Sequence, residues 1–235
     1  MQKRRISVVM SKKEWILGLC WLPFYFLLLS LGIQLIFRGI AGRLPDTAEL
    51  NAVYYAVNAA VVLLIFRRFL RGNLTALRKN RRKLPLALPT ALLLYFFLTF
   101  AVGLIILALD PEFVNRNNGA VLDLLNGSPV LAWTLTVLAA PLIEETLFRG
   151  LIFGSLRRVS RVLAYAVTML CFSGIHVVSY IGVLSPTAIL LSLLQYVPAT
   201  AVLCGLYEYT DTIYAPMLLH AAINVAAGLT MGALS

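Results

Sequence analysis

The chain has 235 residues, of which 60% are hydrophobic and 13% are charged, and its mean hydropathy is +0.87. This composition excludes an ordinary soluble domain and indicates a polytopic membrane protein. The net charge of +10 would suit nucleic-acid binding, but the cations lie in clusters between apolar segments, so we expect no nucleic-acid partner.

Apolar stretches of about 20 residues recur along the chain and predict its transmembrane segments. Their approximate positions are 15–37, 48–66, 86–109, 129–152, 162–181, 185–207 and 212–232. We expect each to be a helix, because hydrocarbon offers backbone amides no partners and no stretch alternates with the period of a barrel strand. The predicted fold class is therefore all-α, a polytopic transmembrane helical bundle of about seven spans.

Most cations lie in three clusters that face the same side of the membrane if the spans simply alternate. The clusters are Lys3, Arg4, Arg5, Lys12 and Lys13, then Arg67, Arg68, Arg71, Arg78, Lys79, Arg81, Arg82 and Lys83, and finally Arg157, Arg158 and Arg161. Because positively charged loops stay in the cytoplasm, we predict a multi-pass cell-membrane protein with a cytoplasmic N-terminus and an external C-terminus. The basic segment 67–83 is expected to be a cytoplasmic loop. The polar segment 110–127, rich in turn-forming dipeptides, is expected to be an external one.

The fourth span carries three charged residues that need partners or a use. Each acid or Arg near the bilayer centre costs roughly 2.5 to 3.5 kcal/mol on insertion scales, and Glu144, Glu145 and Arg149 all lie in this span. Glu145 and Arg149 are four residues apart and share a helix face, so we predict that they pair. Glu144 is a candidate base, since burial would raise the pKa of its carboxyl toward a useful range, whereas Arg149 would lower it.

Two later spans place further polar groups at helical spacing. Phe172 and His176 share one face of the fifth span, and His220 and Asn224 share one face of the seventh. Counted at about 1.5 Å per residue from the nearest cytoplasmic charges, Glu144, His176 and Asn224 lie at similar depths of roughly 20 Å, and His220 lies at about 14 Å. We therefore expect these four polar groups to converge, and we expect Phe172 to serve packing.

The converging groups are sufficient for hydrolysis. A carboxylate and an imidazole can deprotonate a water, while a second imidazole and an amide can donate to the oxyanion of a tetrahedral intermediate. A zinc site made by Glu144, His176 and His220 is an alternative, although the His-Glu-x-x-His helix signature is absent. Serine catalysis is less favoured, because the chain has no Gly-x-Ser-x-Gly elbow.

The ordered motifs on these late spans resemble those of the CAAX protease and bacteriocin-processing family of intramembrane proteases. They are Glu-Glu-x-x-x-Arg at 144–149, Phe-x-x-x-His at 172–176 and His-x-x-x-Asn at 220–224. The likeness covers about residues 125–232, whereas the first three spans match only in being hydrophobic. We therefore expect N-terminal membrane spans with the basic loop at 1–125 and a protease core at 126–235.

The resemblance implies a glutamate-type intramembrane endopeptidase with a cavity that faces the cytoplasm. By motif position, Glu144 would activate water together with His176, and His220 with Asn224 would form the oxyanion hole. Glu145 and Arg149 would support the first helix of the site. The resemblance implies no cofactor in the glutamate account, and a zinc-dependent version stays open because the family has also been described as metal-dependent. The expected partners are the lipid bilayer and a peptide or protein substrate within or at the membrane.

Several alternatives stay open at the level of the sequence. A non-catalytic membrane protein that sequesters a toxic peptide, as an immunity factor would, is the competing hypothesis. A transporter that uses Glu144 and Glu145 as a proton relay is a third, but we find no inverted repeat in the sequence to support it. Neither the natural substrate, prenylated or bacteriocin-like, nor the oligomeric state is indicated by these motifs.

Overall fold

A computed structural model describes residues 6–234 of the chain and the side chains of residues 6–231. Every regular element in this part is helical. We number the helices α1 Lys12–Ala41, α2 Thr47–Ile65, α3 Arg67–Asn80, α4 Leu84–Leu109, α5 Arg116–Gly127, α6 Pro129–Leu156, α7 Arg161–Ile175, α8 Pro186–Thr210 and α9 Tyr214–Leu234. The predicted cations Lys3, Arg4 and Arg5 lie outside the described residues, as does Ser235.

The predicted transmembrane bundle is confirmed. Six helical stretches among the described residues are long and apolar enough to cross a membrane, namely α1, α2, α3 continued by α4, α6, α8 and α9. The predicted span at 162–181 corresponds to α7, an apolar helix of 15 residues that ends at Ile175. Large apolar side chains cover the outside of the spans, as expected where lipid is the solvent; examples are Leu35, Leu64, Phe97, Leu138 and Leu190.

The basic segment 67–83 was predicted to be a loop, and that prediction is wrong. The segment forms α3 and a short 3-10 turn, Arg81–Lys83. Helix α3 buries Phe69, Leu70 and Ala76 on one face and exposes its cations on the other. The loop was predicted from the density of cations alone. The apolar residues recur with helical periodicity, and this makes the segment an amphipathic helix.

The external loop predicted at 110–127 is only partly a loop. Asp110 to Asn115 are not helical, but Arg116–Gly127 forms α5. The Asn115 side chain caps this helix, because its oxygen accepts from the backbone N–H groups of Asn117 and Asn118. Leu124 of α5 also packs into a small apolar cluster with residues of α6, which stabilises the helix despite the turn-forming dipeptides.

Helix α6 lies at the centre of the bundle. All its residues from Ile143 to Phe153 are buried, and it contacts α1, α2, α7, α8 and α9. The main apolar cluster joins Phe148 and Phe153 of α6 to Phe66 at the end of α2 and to Tyr207 of α8. Polar residues on α6 are therefore held on all sides by other helices, and they are shielded from lipid.

Candidate active site

A buried ion cluster joins α6 to α9 at the centre of the bundle. Oε1 of Glu145 accepts from Nη1 of Arg149 at 2.9 Å and lies 2.7 Å from Nδ1 of His220. The side chains of Glu145 and Arg149 are fully buried. Because an Arg-paired carboxylate is an acceptor, we assign a proton to Nδ1, so that His220 donates to Glu145. The predicted pairing with Arg149 is present, and the same carboxylate also orients an imidazole 75 residues further along the chain.

Glu144 faces the other edge of this imidazole. Its Oε2 lies 3.8 Å from Nε2 of His220, which is too long for a hydrogen bond but allows one small molecule to contact both atoms. This oxygen is buried and hydrogen-bonds to no residue that the structure describes. Since buried carboxylate oxygens normally have partners, Oε2 of Glu144 is a candidate for direct contact with a reactant.

The helix changes its winding where the two glutamates meet. It is α-helical over Ala140–Glu144 and π-helical over Glu145–Phe153. A π-helix has a wider turn, so successive side chains are rotated by a smaller angle than in an α-helix. The adjacent Glu144 and Glu145 can therefore reach opposite edges of the same imidazole, that of His220. Such π segments occur frequently at functional sites.

His176 lies directly after α7 and belongs to an aromatic group. Its ring stacks on Tyr196, with centroids 4.2 Å apart and planes inclined by 13°. The ring of Phe172 lies 5.1 Å from His176 and 5.9 Å from His220, and Cζ of Arg149 stands 4.2 Å from its centroid. Phe172 thus packs as predicted, and it also contacts both imidazoles and makes a cation–π contact with Arg149.

Asn224 lies one helical turn beyond His220, but its amide contacts α6. Its Nδ2 donates to the backbone carbonyl oxygen of Thr136 at 2.7 Å. A carbonyl can only accept, so this contact fixes which end of the amide faces Thr136. The second N–H and the Oδ1 of Asn224 remain for other partners.

Tyrosines that the sequence analysis missed surround Glu144. Tyr25 of α1, Tyr54 and Tyr55 of α2 and Tyr196 of α8 lie close enough for their phenols to feel the charge of its carboxylate. The first two spans therefore contribute polar groups to the site and are more than hydrophobic anchors. The signal in the sequence is the presence of phenol hydroxyls inside apolar spans.

The structure brings most of the predicted site residues into one chain of contacts. Glu144, Glu145, Arg149, Phe172 and His220 form this chain, His176 adjoins it through Phe172, and Asn224 borders it on α9. In the described part of the protein, no three His, Cys, Asp or Glu side chains are arranged to hold a metal ion. Glu144 and His220 face each other, but His176 does not complete a ligand set with them. The zinc set named from the sequence therefore does not fit this arrangement.

Comparisons with known proteins support the class of protein that the helical bundle and the sequence motifs indicate. Residues 126–226 match the family model described as "Type II CAAX prenyl endopeptidase Rce1-like". The chain is a polytopic membrane protein, and its matched part resembles the CAAX protease and bacteriocin-processing family of membrane proteases. In particular, it is 25% identical over 229 residues to the protein named "Putative membrane peptidase YdiL" of Bacillus subtilis (strain 168), covering 92% of this chain and 87% of that protein. No solved structure matches the chain.

Proposed function

We propose that the protein is a glutamate-type intramembrane endopeptidase that hydrolyses a peptide bond in a membrane-associated or lipid-linked peptide. One observation carries the proposal: the buried, unpaired Oε2 of Glu144 faces Nε2 of His220, whose other ring nitrogen is held by Glu145. A carboxylate with one free oxygen beside an oriented imidazole is suited to accept a proton from water.

In the proposed reaction, Glu144 accepts a proton from a water molecule and the resulting hydroxide adds to the substrate carbonyl carbon. The carbonyl π electrons move to oxygen, which gives a tetrahedral oxyanion. Glu144 then returns the proton to the leaving nitrogen as the C–N bond breaks. By motif position, His176 is proposed to hold the attacking water together with Glu144.

His220 and Asn224 are proposed to stabilise the oxyanion. A protonated His220 donates Nδ1–H to Glu145 and directs Nε2–H toward the space beside Glu144, where the oxyanion would accept it. In this state the cations Arg149 and His220 balance the two glutamates, so the buried quartet is neutral and its burial costs less. The second N–H of Asn224 is the further donor.

Replacement of Glu144 tests the proposal. We expect Glu144→Gln to lower kcat by about 10² to 10⁴-fold, because the amide cannot accept the proton of water. The measurement is cleavage by purified protein in liposomes, and a fluorogenic farnesylated peptide is the first probe, since the matching family is described as a prenyl endopeptidase. Glu112→Gln is the matched control, because Glu112 is exposed on a loop and should retain full activity.

A second variant keeps the result interpretable. We expect His220→Ala to lose cleavage as well, since it removes the group that faces Glu144 and leaves Glu145 without its second partner. Full cleavage by both Glu144→Gln and His220→Ala would contradict the proposal. It would favour the competing function, a non-catalytic protein that binds and sequesters a membrane-active peptide.

We further propose that the reaction needs no metal, because no three His, Cys, Asp or Glu side chains in the described part are arranged to hold a metal ion, and Glu145 is already bound to His220 and Arg149. Protein treated with a chelator and then dialysed is expected to keep its cleavage rate. Elemental analysis of the same sample should find less than stoichiometric metal. Activity that disappears with the chelator and returns with zinc alone would establish the zinc version instead.

A further inference from the structure

Pro141 is a buried residue that the proposed chemistry does not use. It lies inside α6, three residues before Glu144. A proline in a helix interior costs about 3 kcal/mol, because it lacks an N–H and its ring crowds the carbonyl four residues before it. The π segment Thr134–Ala139 immediately precedes it, and this wider winding gives the ring room. The missing N–H still leaves one backbone carbonyl without its helical donor.

The hydrogen bonds of this turn identify that carbonyl. The N–H of Ala140 donates to the carbonyl of Leu135, five residues before it. In the same register the next donor would be residue 141 and the next acceptor Thr136, but proline has no N–H. A donor from another helix binds this carbonyl instead: Nδ2 of Asn224, on α9, donates to the Thr136 carbonyl at 2.7 Å.

We propose that Pro141 is a positioning residue for Asn224. By withholding an N–H, it keeps the Thr136 carbonyl free to bind one N–H of the Asn224 amide, and this contact fixes the plane of the amide. The second N–H of the amide is thereby held in a fixed direction, one helical turn from His220. The inference rests on the proposed function, in which that N–H donates to the oxyanion.

Replacement of Pro141 by Ala is expected to lower the activity without lowering the stability. The new N–H at position 141 bonds the Thr136 carbonyl within the helix, so the helix is at least as stable, and Ala is the better helix former. Asn224 then loses its acceptor and its amide is free to rotate. We expect Pro141→Ala to unfold at an equal or higher temperature, to lower kcat at least about tenfold and to leave KM unchanged, since an oxyanion donor acts mainly in the transition state.

A matched variant separates the effect of the N–H at position 141 from the effect of the side chain. The α-hydroxy acid analogue of alanine, placed at position 141 by nonsense suppression, has the same side chain as Ala but an ester oxygen in place of the N–H. We expect it to restore kcat to within about threefold of the native protein, since it has the side chain of Ala but, like the native proline, no N–H at position 141. Equal kcat for the ester and for Pro141→Ala would overturn the inference, because a role in packing would depend on the side chain alone.

The test also distinguishes this inference from the proposed function. If Glu144→Gln abolishes cleavage while Pro141→Ala is fully active, the positioning role is wrong and the protease mechanism stands. If Glu144→Gln is fully active, the mechanism fails, and a spectroscopic readout then tests the contact by itself. In ¹⁵N-asparagine spectra assigned with Asn224→Ala, the Asn224 side-chain protons should exchange faster in Pro141→Ala than in the native protein. Unchanged exchange would overturn the inference.

Discussion

Glu145 binds two partners through a single oxygen. Its Oε1 contacts both Nη1 of Arg149 and Nδ1 of His220, so one carboxylate neutralises a buried guanidinium and orients an imidazole. The pair with Arg149 was predictable, since the two residues are four apart on one helix. The contact with His220 was not, because it depends on how α9 is rotated against α6.

The ion pair allows a stability prediction. We expect Glu145→Ala and Arg149→Ala each to lower the free energy of unfolding by about 3 to 5 kcal/mol, because each leaves an unpaired charge in a fully buried site. The double variant should cost less than the sum of the two single variants, since no charge is left without its partner. Unfolding of the purified protein in detergent or bicelles, followed by circular dichroism, measures these differences.

A second ion pair on the same chain provides the control. Arg43 and Glu49 pair at 2.6 Å, but their side chains are 55% and 33% exposed. We expect Arg43→Ala to change the stability little, because solvent screens exposed pairs. Additive losses in the Glu145 and Arg149 double variant would show that the buried charges do not stabilise each other.

At the scale of elements, α3 is held in place by polar groups of other segments. Oε1 of Glu14, at the start of α1, accepts from the N–H of Phe69 at 2.8 Å. On the same helix, Oδ1 of Asn73 accepts from the N–H of Ile213 at 2.8 Å, just before α9 begins. The first turn of a helix has N–H groups without helical partners, so Glu14 caps α3 from outside. These contacts hold the basic helix against the ends of α1 and α9.

This cross-capping predicts the effect of changing Glu14. We expect Glu14→Ala to lower the free energy of unfolding by about 1 to 2 kcal/mol, since it removes the acceptors for Phe69 and for the Ser11 cap of α1. Glu14→Gln keeps an acceptor oxygen and should lose less. Thermal unfolding and hydrogen exchange at α3 measure the effect, with the exposed Lys13→Ala as control. Equal losses for Ala and Gln at position 14 would contradict the capping role.

At the scale of the whole molecule, the basic clusters meet at one end of the bundle. Arg157 and Arg161 both bind Glu208 at the end of α8, and the N–H of Ser7 donates to the Asp211 carboxylate at 2.7 Å. Nζ of Lys83 contacts the carbonyl of Tyr209 at 3.2 Å. The described parts of the three clusters thus share one end, as alternation of the spans requires. That this end faces the cytoplasm stays a prediction from charge.

Labelling of single cysteines tests the orientation. In a background without Cys20, Cys171 and Cys204, we expect Thr75→Cys on exposed α3 to react with a membrane-impermeant maleimide only after the cells are opened. Asn118→Cys on exposed α5 should react in intact cells. The opposite pattern would show that the charge-based orientation is wrong. Labelling in denaturant is the control for expression of each variant.

The sequence by itself determined that the protein lies in a membrane and which polar residues its site contains. Hydropathy over about 20 residues is a local property, so the positions of the spans could be predicted from it, and the cost of burying charges identified Glu144, Glu145 and Arg149. The pairing of Glu145 with Arg149 followed from helical spacing within one element.

Only the tertiary structure decided which polar group meets which. His220 approaches both glutamates while His176 stacks on Tyr196, and Asn224 binds a carbonyl that Pro141 leaves free. Each of these contacts joins helices far apart in the chain. Their geometry depends on how each helix is rotated and wound against its neighbours, including the α-to-π change at Glu145. Helix rotation is set by packing of the whole bundle, which no local window of the sequence contains.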